Sequence, residues 1–159
     1  MTRIESRILV VERHVLEFEL KADDVPRSLG VRVSVDGEKR WSSEEPGWRA
    51  IGQGVSDGTV FLWSARRLVI LPLEQPSKPQ ALHCDEDIVT AFKVESGWLL
   101  VCETSLRLIV DGVETSRLEL PDVVTSALWR DGILGVRCDD GSDTTVAATA
   151  GSLAVANAR

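Results

Sequence analysis

Short stretches in which apolar and polar residues alternate dominate the chain. In HVLEFEL the apolar side chains Leu16, Phe18 and Leu20 share one face of an extended strand, and the glutamates between them occupy the other. VRVSVDG, residues 31–37, alternates in the same way and ends in an Asp-Gly pair, which is typical of a tight hairpin turn. No window of a dozen residues keeps the apolar spacing of a capped amphipathic helix. The pattern predicts an all-β, antiparallel fold.

The chain also contains an internal repeat. DIVTAFKVESGWLLV, which begins at Asp87, aligns without a gap on DVVTSALWRDGILGV, which begins 35 residues later at Asp122. A more degenerate copy, WRAIGQGVSDGTVFLW, precedes both and places Gly58 where the others have Gly97 and Gly132. We therefore expect two regions. Residues 1–46 hold N-terminal strands, which in one interpretation form a degenerate blade. Residues 47–159 hold three β-repeats, at about 47–84, 85–120 and 121–159.

Each repeat holds four strand-like runs. In the best copy the first run, IVTAF, is apolar on both faces and the fourth, VETSRLEL, is the most polar, so we expect burial to fall from the first strand to the fourth. A unit of this kind resembles one blade of a β-propeller, and DGTVFLW at residues 57–63 is similar to the core of a WD-repeat blade. The resemblance covers residues 47–159 and implies the fold alone. Trp63 is followed by Ser64, and the Trp-Asp and Gly-His dipeptides of the WD family are absent from the chain.

The number of repeats leaves three architectures open. A closed propeller typically has about four to eight blades, and three repeats are too few. The N-terminal strands can supply a further blade of a small propeller, or a partial propeller can be completed by a second copy of the chain as a homodimer. The third alternative is a β-sandwich or an open barrel of hairpins.

Charge and cysteine content limit the classes of binding partner and the cellular compartment that we expect. The formal net charge of −7 argues against a nucleic-acid backbone or an anionic membrane as partner, since both require basic patches. The N-terminal apolar run, Ile8–Val11, is too short for a signal peptide or a membrane span. Cys84, Cys102 and Cys138 are odd in number and are interpreted as reduced thiols. Together these features predict a cytoplasmic protein.

Two polar clusters resemble metal sites, but neither has the required spacing. In HCDED, residues 83–87, neighbouring His83 and Cys84 would point to opposite faces of a strand, so we interpret the segment as an acidic turn between repeats. CDDGSD, residues 138–143, lacks the alternate acidic ligands of a calcium loop and is interpreted as a hairpin turn. No nucleophile elbow or phosphate loop occurs. We assign no catalytic residue, no cofactor and no metal ligand.

Surface recognition is the function that these observations favour. Trp41 and Trp48 flank the polar segment SSEEPG, and tryptophan and arginine are the residue types most enriched at interface hot spots. We therefore predict Trp41, Trp48 and Arg49 as partner-binding residues; the alternative is that the tryptophans fill the core. The chain is expected to be a non-enzymatic protein–protein interaction module with an acidic surface, and one such role is an immunity-type inhibitor of a basic partner. The alternative is an enzyme or small-molecule-binding protein with a pocket between β-sheets or at the centre of the ring.

Overall fold

The fold is built from β-strands. The computed structural model describes residues 1–25, 27–46, 51–74 and 78–156, and all regular secondary structure in these ranges is strand. The strands, in chain order, are β1 (Thr2–Val11), β2 (His14–Asp24), β3 (Arg27–Val35), β4 (Glu38–Pro46), β5 (Ile51–Ser56), β6 (Thr59–Ser64), β7 (Arg67–Pro72), β8 (Gln80–His83), β9 (Ile88–Val94), β10 (Gly97–Cys102), β11 (Ser105–Val110), β12 (Val113–Glu119), β13 (Val124–Arg130), β14 (Ile133–Cys138), β15 (Asp143–Thr149) and β16 (Ser152–Val155).

Successive strands form four antiparallel sheets of four strands each. The sheets are β1–β4, β5–β8, β9–β12 and β13–β16, and each keeps its strands in chain order. None of them closes into a barrel within the described ranges. The predicted all-β, antiparallel fold with blade-like repeats is confirmed, whereas a closed or partial propeller ring stays a prediction.

Asp-Gly pairs make four of the hairpin turns. In Asp36-Gly37, Asp57-Gly58, Asp111-Gly112 and Asp131-Gly132 both residues have positive φ, between 48° and 81°. Positive φ at both central residues defines the type I′ turn, whose twist matches that of the flanking strands. Glycine adopts this conformation without a Cβ clash, and aspartate tolerates it better than most residues. DGTVFLW is therefore a turn followed by the strand β6, as the alignment of the repeats predicts.

The first two strands of the fourth sheet follow those of the third at a spacing of 36 residues, one more than the 35 of the sequence alignment. The first strands of these sheets, β9 and β13, begin at Ile88 and Val124. Gly132 ends the first turn of its sheet, whereas Gly97 is already the first residue of β10. A Cβ atom at Gly97 would lie 2.1 Å from the carbonyl oxygen of Ile109, so the close approach of β11 requires this glycine. The gap-free alignment paired two glycines that have different roles.

The central strands of the third sheet are the most buried. Leu99 and Val101 of β10 and Leu106 of β11 are completely buried, whereas Val89 of β9 is 38% exposed. The prediction that burial falls from the first strand to the fourth is therefore wrong. A central strand has a hydrogen-bonded neighbour on each side, while β9 and β12 lie at the edges of the sheet. The expectation for the fourth strand is confirmed, because most residues of β12 are exposed.

The chain forms two compact units, each with its own apolar core. The first unit comprises Met1–Leu62 and Val69–Ala81, and the second comprises Trp63–Leu68 and Leu82–Arg159. In the first unit the buried core combines side chains of the first two sheets: Leu16, Phe18, Val33, Val35, Val60, Leu62, Val69, Leu71 and Leu73. In the second unit it combines side chains of the last two sheets and the segment that joins them: Val94, Leu99, Val101, Leu106, Leu108, Leu120, Val124, Leu134, Val136, Cys138 and Val146.

Backbone hydrogen bonds anchor the start of two sheets within the second unit. The N–H of Ile88, the first residue of β9, donates to the carbonyl of Ala65 at 2.7 Å. The N–H of Val124, the first residue of β13, donates in the same way to the carbonyl of Glu103 at 2.7 Å. Glu103 in turn donates to the carbonyl of Asp87 at 3.0 Å. The bond from Glu103 to Asp87 holds the end of residues 84–87, which connect β8 to β9, beside the turn between β10 and β11.

Substituting Leu134 by alanine should destabilise the protein strongly. Leu134 is completely buried in the core of the second unit, and removing a buried leucine side chain costs about 2–5 kcal/mol through lost transfer energy and a residual cavity. Leu128→Ala is the matched control, because this leucine lies in the same sheet and is 69% exposed, where substitutions change stability by about 0.5 kcal/mol. Urea denaturation measures both. Equal losses for the two variants would contradict the assigned packing.

Candidate functional site

An exposed apolar surface lies along β1, the outermost strand of the first sheet. Ile4, Ile8 and Val10 are 61%, 67% and 73% exposed, and their spacing places them on one face of the strand. Val15 of β2, which is 45% exposed, lies directly opposite Val10 in the register. These four side chains are referred to below as the β1 surface. On the opposite face, Leu16 and Phe18 of β2 pack on the core. The residues of β1 on that face are exposed, except for Val11.

The free edge of β1 is the second feature of this surface. β1 pairs with β2 over ten residue pairs, and its other edge pairs with no strand in the described part of the chain. The strand is ten residues long, contains no proline and shows no shift of register. Proteins usually shield such edges with short strands, prolines, bulges, charged side chains or covering segments, because unpaired N–H and C=O groups recruit another strand. Of these devices β1 has charged side chains, Arg3, Glu5 and Arg7, which project from the face opposite the β1 surface. β1 therefore combines a template for strand addition with exposed apolar side chains.

Carboxylates border the β1 surface. Glu17 lies opposite Ile8 in the register, and Glu19 lies opposite Ser6, so both project from the same face as the isoleucines. The nearest oppositely charged group to Glu19 is Arg32, at 4.0 Å, and Glu17 has no ion-pair partner among the described residues. At a net charge of −7 the chain as a whole is acidic. Lys21, opposite Ile4, projects from this face as well and pairs with Asp23 at 3.0 Å. Attraction for positively charged groups therefore rests on Glu17 and on the net charge of the chain.

The predicted partner-binding residues fall in two places. Trp41 lies in β4, opposite Val33, and is half-buried against the core of the first unit. Trp48 and Arg49 lie outside the described residues. A binding role for these three side chains stays a prediction. The predicted partner-binding residues do not include the β1 surface. The alternate spacing of Ile4, Ile8 and Val10 is the sequence signal that indicates it.

A buried arginine organises a second cluster, in the second unit. Arg107 of β11 is only 3% exposed, and its guanidinium forms ion pairs with Asp85, with Glu86 at 3.0 Å and with Glu114 at 3.4 Å. Its Nε also donates to the hydroxyl of Ser105 at 3.1 Å. A buried charge is tolerated only when it is paired and hydrogen-bonded, and this arrangement satisfies both conditions. Arg107 thereby ties residues 85 and 86 of the β8–β9 connection to β11.

Glu86 is the best-satisfied carboxylate of this cluster. Its oxygens accept hydrogen bonds from the hydroxyls of Ser105 at 2.6 Å and Thr104 at 2.8 Å, and from the backbone N–H of Thr104. Burial by itself raises the pKa of Glu86, but these bonds and the guanidinium outweigh burial and lower the pKa to about 2. For Arg107, burial lowers the pKa, and the bonds to Asp85 and Glu86 outweigh it, so the pKa lies above its ordinary value. Both groups are charged throughout the physiological range.

The two polar motifs of the sequence form connections. Residues 84–87 join β8 to β9, and His83 at the end of β8 is exposed. Residues 139–142 join β14 to β15, where Asp140 accepts two hydrogen bonds from Ser142, at 2.9 and 2.6 Å. In the described ranges no three histidine, cysteine, aspartate or glutamate side chains are grouped as metal ligands. The motifs did not reveal the ion pairs of Asp85 and Glu86 with Arg107, or the proximity of Cys84 to Cys102, whose sulfurs lie 3.5 Å apart.

Comparison with protein-family models and with curated proteins finds no match to this chain. Among the residues that the structure describes, no helix has the length and apolar character that crossing a membrane requires.

Replacing Glu86 by glutamine should remove a pH-dependent part of the stability. The folded-state pKa of about 2 lies below the ordinary 4.5, so the carboxylate stabilises the fold above about pH 4.5 and this stabilisation is lost as the pH falls towards 2. We expect Glu86→Gln to lower the free energy of unfolding by about 2–3 kcal/mol at pH 7, because hydrogen bonds to charged groups are lost. Urea denaturation from pH 7 to pH 2.5 should show the two proteins converging below about pH 4.5.

Glu114→Gln is the matched control for this measurement. Glu114 contacts the same guanidinium at 3.4 Å but its side chain is 38% exposed, so we expect a loss of about 1 kcal/mol or less. A Glu86→Gln variant as stable as wild type at pH 7, or a difference that does not shrink in acid, would contradict the role assigned to Glu86.

Proposed function

We propose that this chain is a non-enzymatic, cytoplasmic protein-binding module that receives an extended segment of a basic protein on the free edge of β1. The observation that carries the proposal is the combination on one strand of an unpaired edge with three apolar side chains that are each more than half exposed. Single exposed apolar residues are ordinary, whereas a row of them on an open edge strand is a typical interaction site.

Strand addition supplies both affinity and specificity at such an edge. The partner's backbone would pair with the outward N–H and C=O groups of β1, and these bonds do not depend on its sequence. Ile4, Ile8 and Val10 would then contact alternate side chains of the added strand, because the side-chain period of both strands is two residues. Apolar alternation in the partner segment is therefore the expected sequence requirement.

Charge indicates that the partner is basic. Glu17 and Glu19 project beside the β1 surface, and the net charge of −7 adds a long-range attraction for cations. Complementary charge of this kind mainly raises the association rate and excludes acidic competitors. An immunity-type inhibitor that neutralises a basic protein is one role that fits this surface.

A second copy of the chain is the competing occupant of the edge. Two β1 strands could pair with each other, but each copy would bring the same carboxylates and the same net negative charge to the interface. This repulsion favours a different, basic protein. We therefore expect the isolated chain to be a monomer at low micromolar concentration, as measured by sedimentation or light scattering.

Substituting Ile8 by lysine should abolish partner capture. The change places a positive charge in the centre of the β1 surface, which would oppose a basic partner and remove apolar contact. With the protein as bait in extracts of its own cells, we expect wild type to retain a stoichiometric basic protein that high salt releases, and Ile8→Lys to retain at least about tenfold less. Hydrogen exchange with the purified partner should slow the β1 amides that are not paired with β2.

Leu128→Lys is the matched control, because Leu128 is 69% exposed on β13, which is also an edge strand. This variant should capture the partner as wild type does. The proposal fails if the partner binds Ile8→Lys equally well, if the protected amides lie outside β1, or if wild type is a dimer that Ile8→Lys dissociates.

A further inference from the structure

Two cysteines that are distant in the sequence meet in the second unit. The Sγ atoms of Cys84 and Cys102 lie 3.5 Å apart, which is close to the contact distance of two sulfur atoms. Both are free thiols, as is Cys138. A disulfide requires an S–S distance of about 2 Å, so the two sulfurs would have to approach by about 1.5 Å to be joined.

The two sulfurs differ in their access to solvent. Cys84 is half-buried and follows directly on the end of β8, whereas Cys102 is completely buried at the end of β10. An oxidant from solution therefore reaches Cys84 first. An accessible thiol next to a second, resolving thiol is the arrangement typical of redox-sensing cysteines.

The surroundings of Cys84 favour its thiolate. The sulfur of Cys102 lies within hydrogen-bond distance of the sulfur of Cys84, the backbone N–H of Glu86 donates a hydrogen bond to Cys84, and Arg107 adds a positive charge nearby. Together they lower the pKa of Cys84 to about 6, with the contact to Cys102 as the largest cause. The same contact and burial raise the pKa of Cys102. The thiolate is the reactive form of cysteine, and it is held at the accessible position.

The backbone around the pair is irregular. The pairing of β10 with β9 shifts its register between Val101 and Cys102, and Cys84 lies between strands. Neither sulfur is therefore carried by the regular middle of a strand ladder. Glu86 and Arg107 meanwhile hold the rest of the connection in place through their ion pair at 3.0 Å.

We propose that Cys84 and Cys102 are a reversible redox site, in which a peroxide oxidises Cys84 and Cys102 converts the product into an intramolecular disulfide. In the first step the Cys84 sulfur attacks one oxygen of hydrogen peroxide: an S–O bond forms, the O–O bond breaks, and the departing hydroxide takes up a proton as water. In the second step Cys102 loses its proton and its sulfur attacks that of Cys84, so the S–S bond forms and a second hydroxide leaves as water. The two sulfurs lose two electrons in total, which reduce the peroxide, and an external dithiol restores both thiols as it is oxidised.

Mass spectrometry of the intact, full-length chain tests the proposal. The reduced protein is exposed to graded hydrogen peroxide at pH 7 and digested under conditions that prevent disulfide exchange. Wild type should become lighter by two hydrogens, yield a peptide pair linked through Cys84 and Cys102, and return to its original mass with dithiothreitol. Cys102→Ala should instead stop at the sulfenic acid of Cys84, which dimedone traps, and Cys84→Ser should form no disulfide. Circular dichroism establishes that each variant is folded.

Cys138→Ser is the matched control, because Cys138 is buried in the same unit and takes no part in the proposed pair. It should oxidise as wild type does. Wild-type protein that gains oxygen without losing hydrogen, a linkage that includes Cys138, or undiminished disulfide formation in Cys84→Ser would each overturn the proposal.

The alkylation rate provides a further prediction about the same pair. Because the pKa of Cys84 is about 6, its reaction with iodoacetamide should rise through pH 6 and level off near pH 7, whereas an ordinary thiol continues to accelerate to about pH 8.5. In Cys102→Ala the main cause of the lowered pKa is absent, so the midpoint should move to higher pH. Peptide mapping assigns the alkylated residue. A midpoint near pH 8.5 in wild type would show that Cys84 is an ordinary thiol.

Discussion

Each sheet of this protein is a simple meander, and a meander of four strands has two central strands and two edges. Backbone pairing on both sides is available to the central strands alone, and the chain places its most apolar segments there, such as β10 and β11. The edges then receive the segments that tolerate water. This single constraint explains why the central strands of the third sheet are more buried than its edge strands. It also explains why β1, at the edge of the first sheet, is exposed. The proposed binding surface is therefore a product of the architecture, made unusual by the isoleucines and valine that occupy it.

Arg107 shows how one buried charge can organise a connection. Removing a guanidinium from water is costly, and the cost is offset only when several acceptors surround it. Those acceptors come from the β8–β9 connection and from β11 and β12, so satisfying the charge also ties residues 85 and 86 to these two strands. Cys84, the residue before them, lies with its sulfur 3.5 Å from that of Cys102, and its backbone N–H donates to the carbonyl of Arg66 at 2.8 Å. The thiol pair and the arginine cluster thus share one connection.

The fold was largely predictable from local chemistry, while the sites were not. Alternation in residues 14–20 and the Asp-Gly pairs indicate strands and turns, because both signals depend on neighbours in the sequence. The roles of Gly97 and Arg107 depend on the strand that approaches each of them, which no local pattern encodes. The meeting of Cys84 with Cys102 depends on the same kind of long-range placement. Burial of β9 was overestimated because an apolar run indicates what a strand could bury and does not say where it lies in the sheet.

The exposure of β1 has a consequence for the motions of the protein. All residues of this strand except Val11 are exposed, so its hydrogen bonds to β2 are supported by little burial of apolar side chains. Local opening that detaches β1 would leave Leu16, Phe18 and most of the core of the first unit in contact with one another. The free energy of such an opening should be a small fraction of that of global unfolding. The strand can therefore detach from β2 and pair again at little cost to the rest of the fold. A partner strand added at its free edge would make it more rigid.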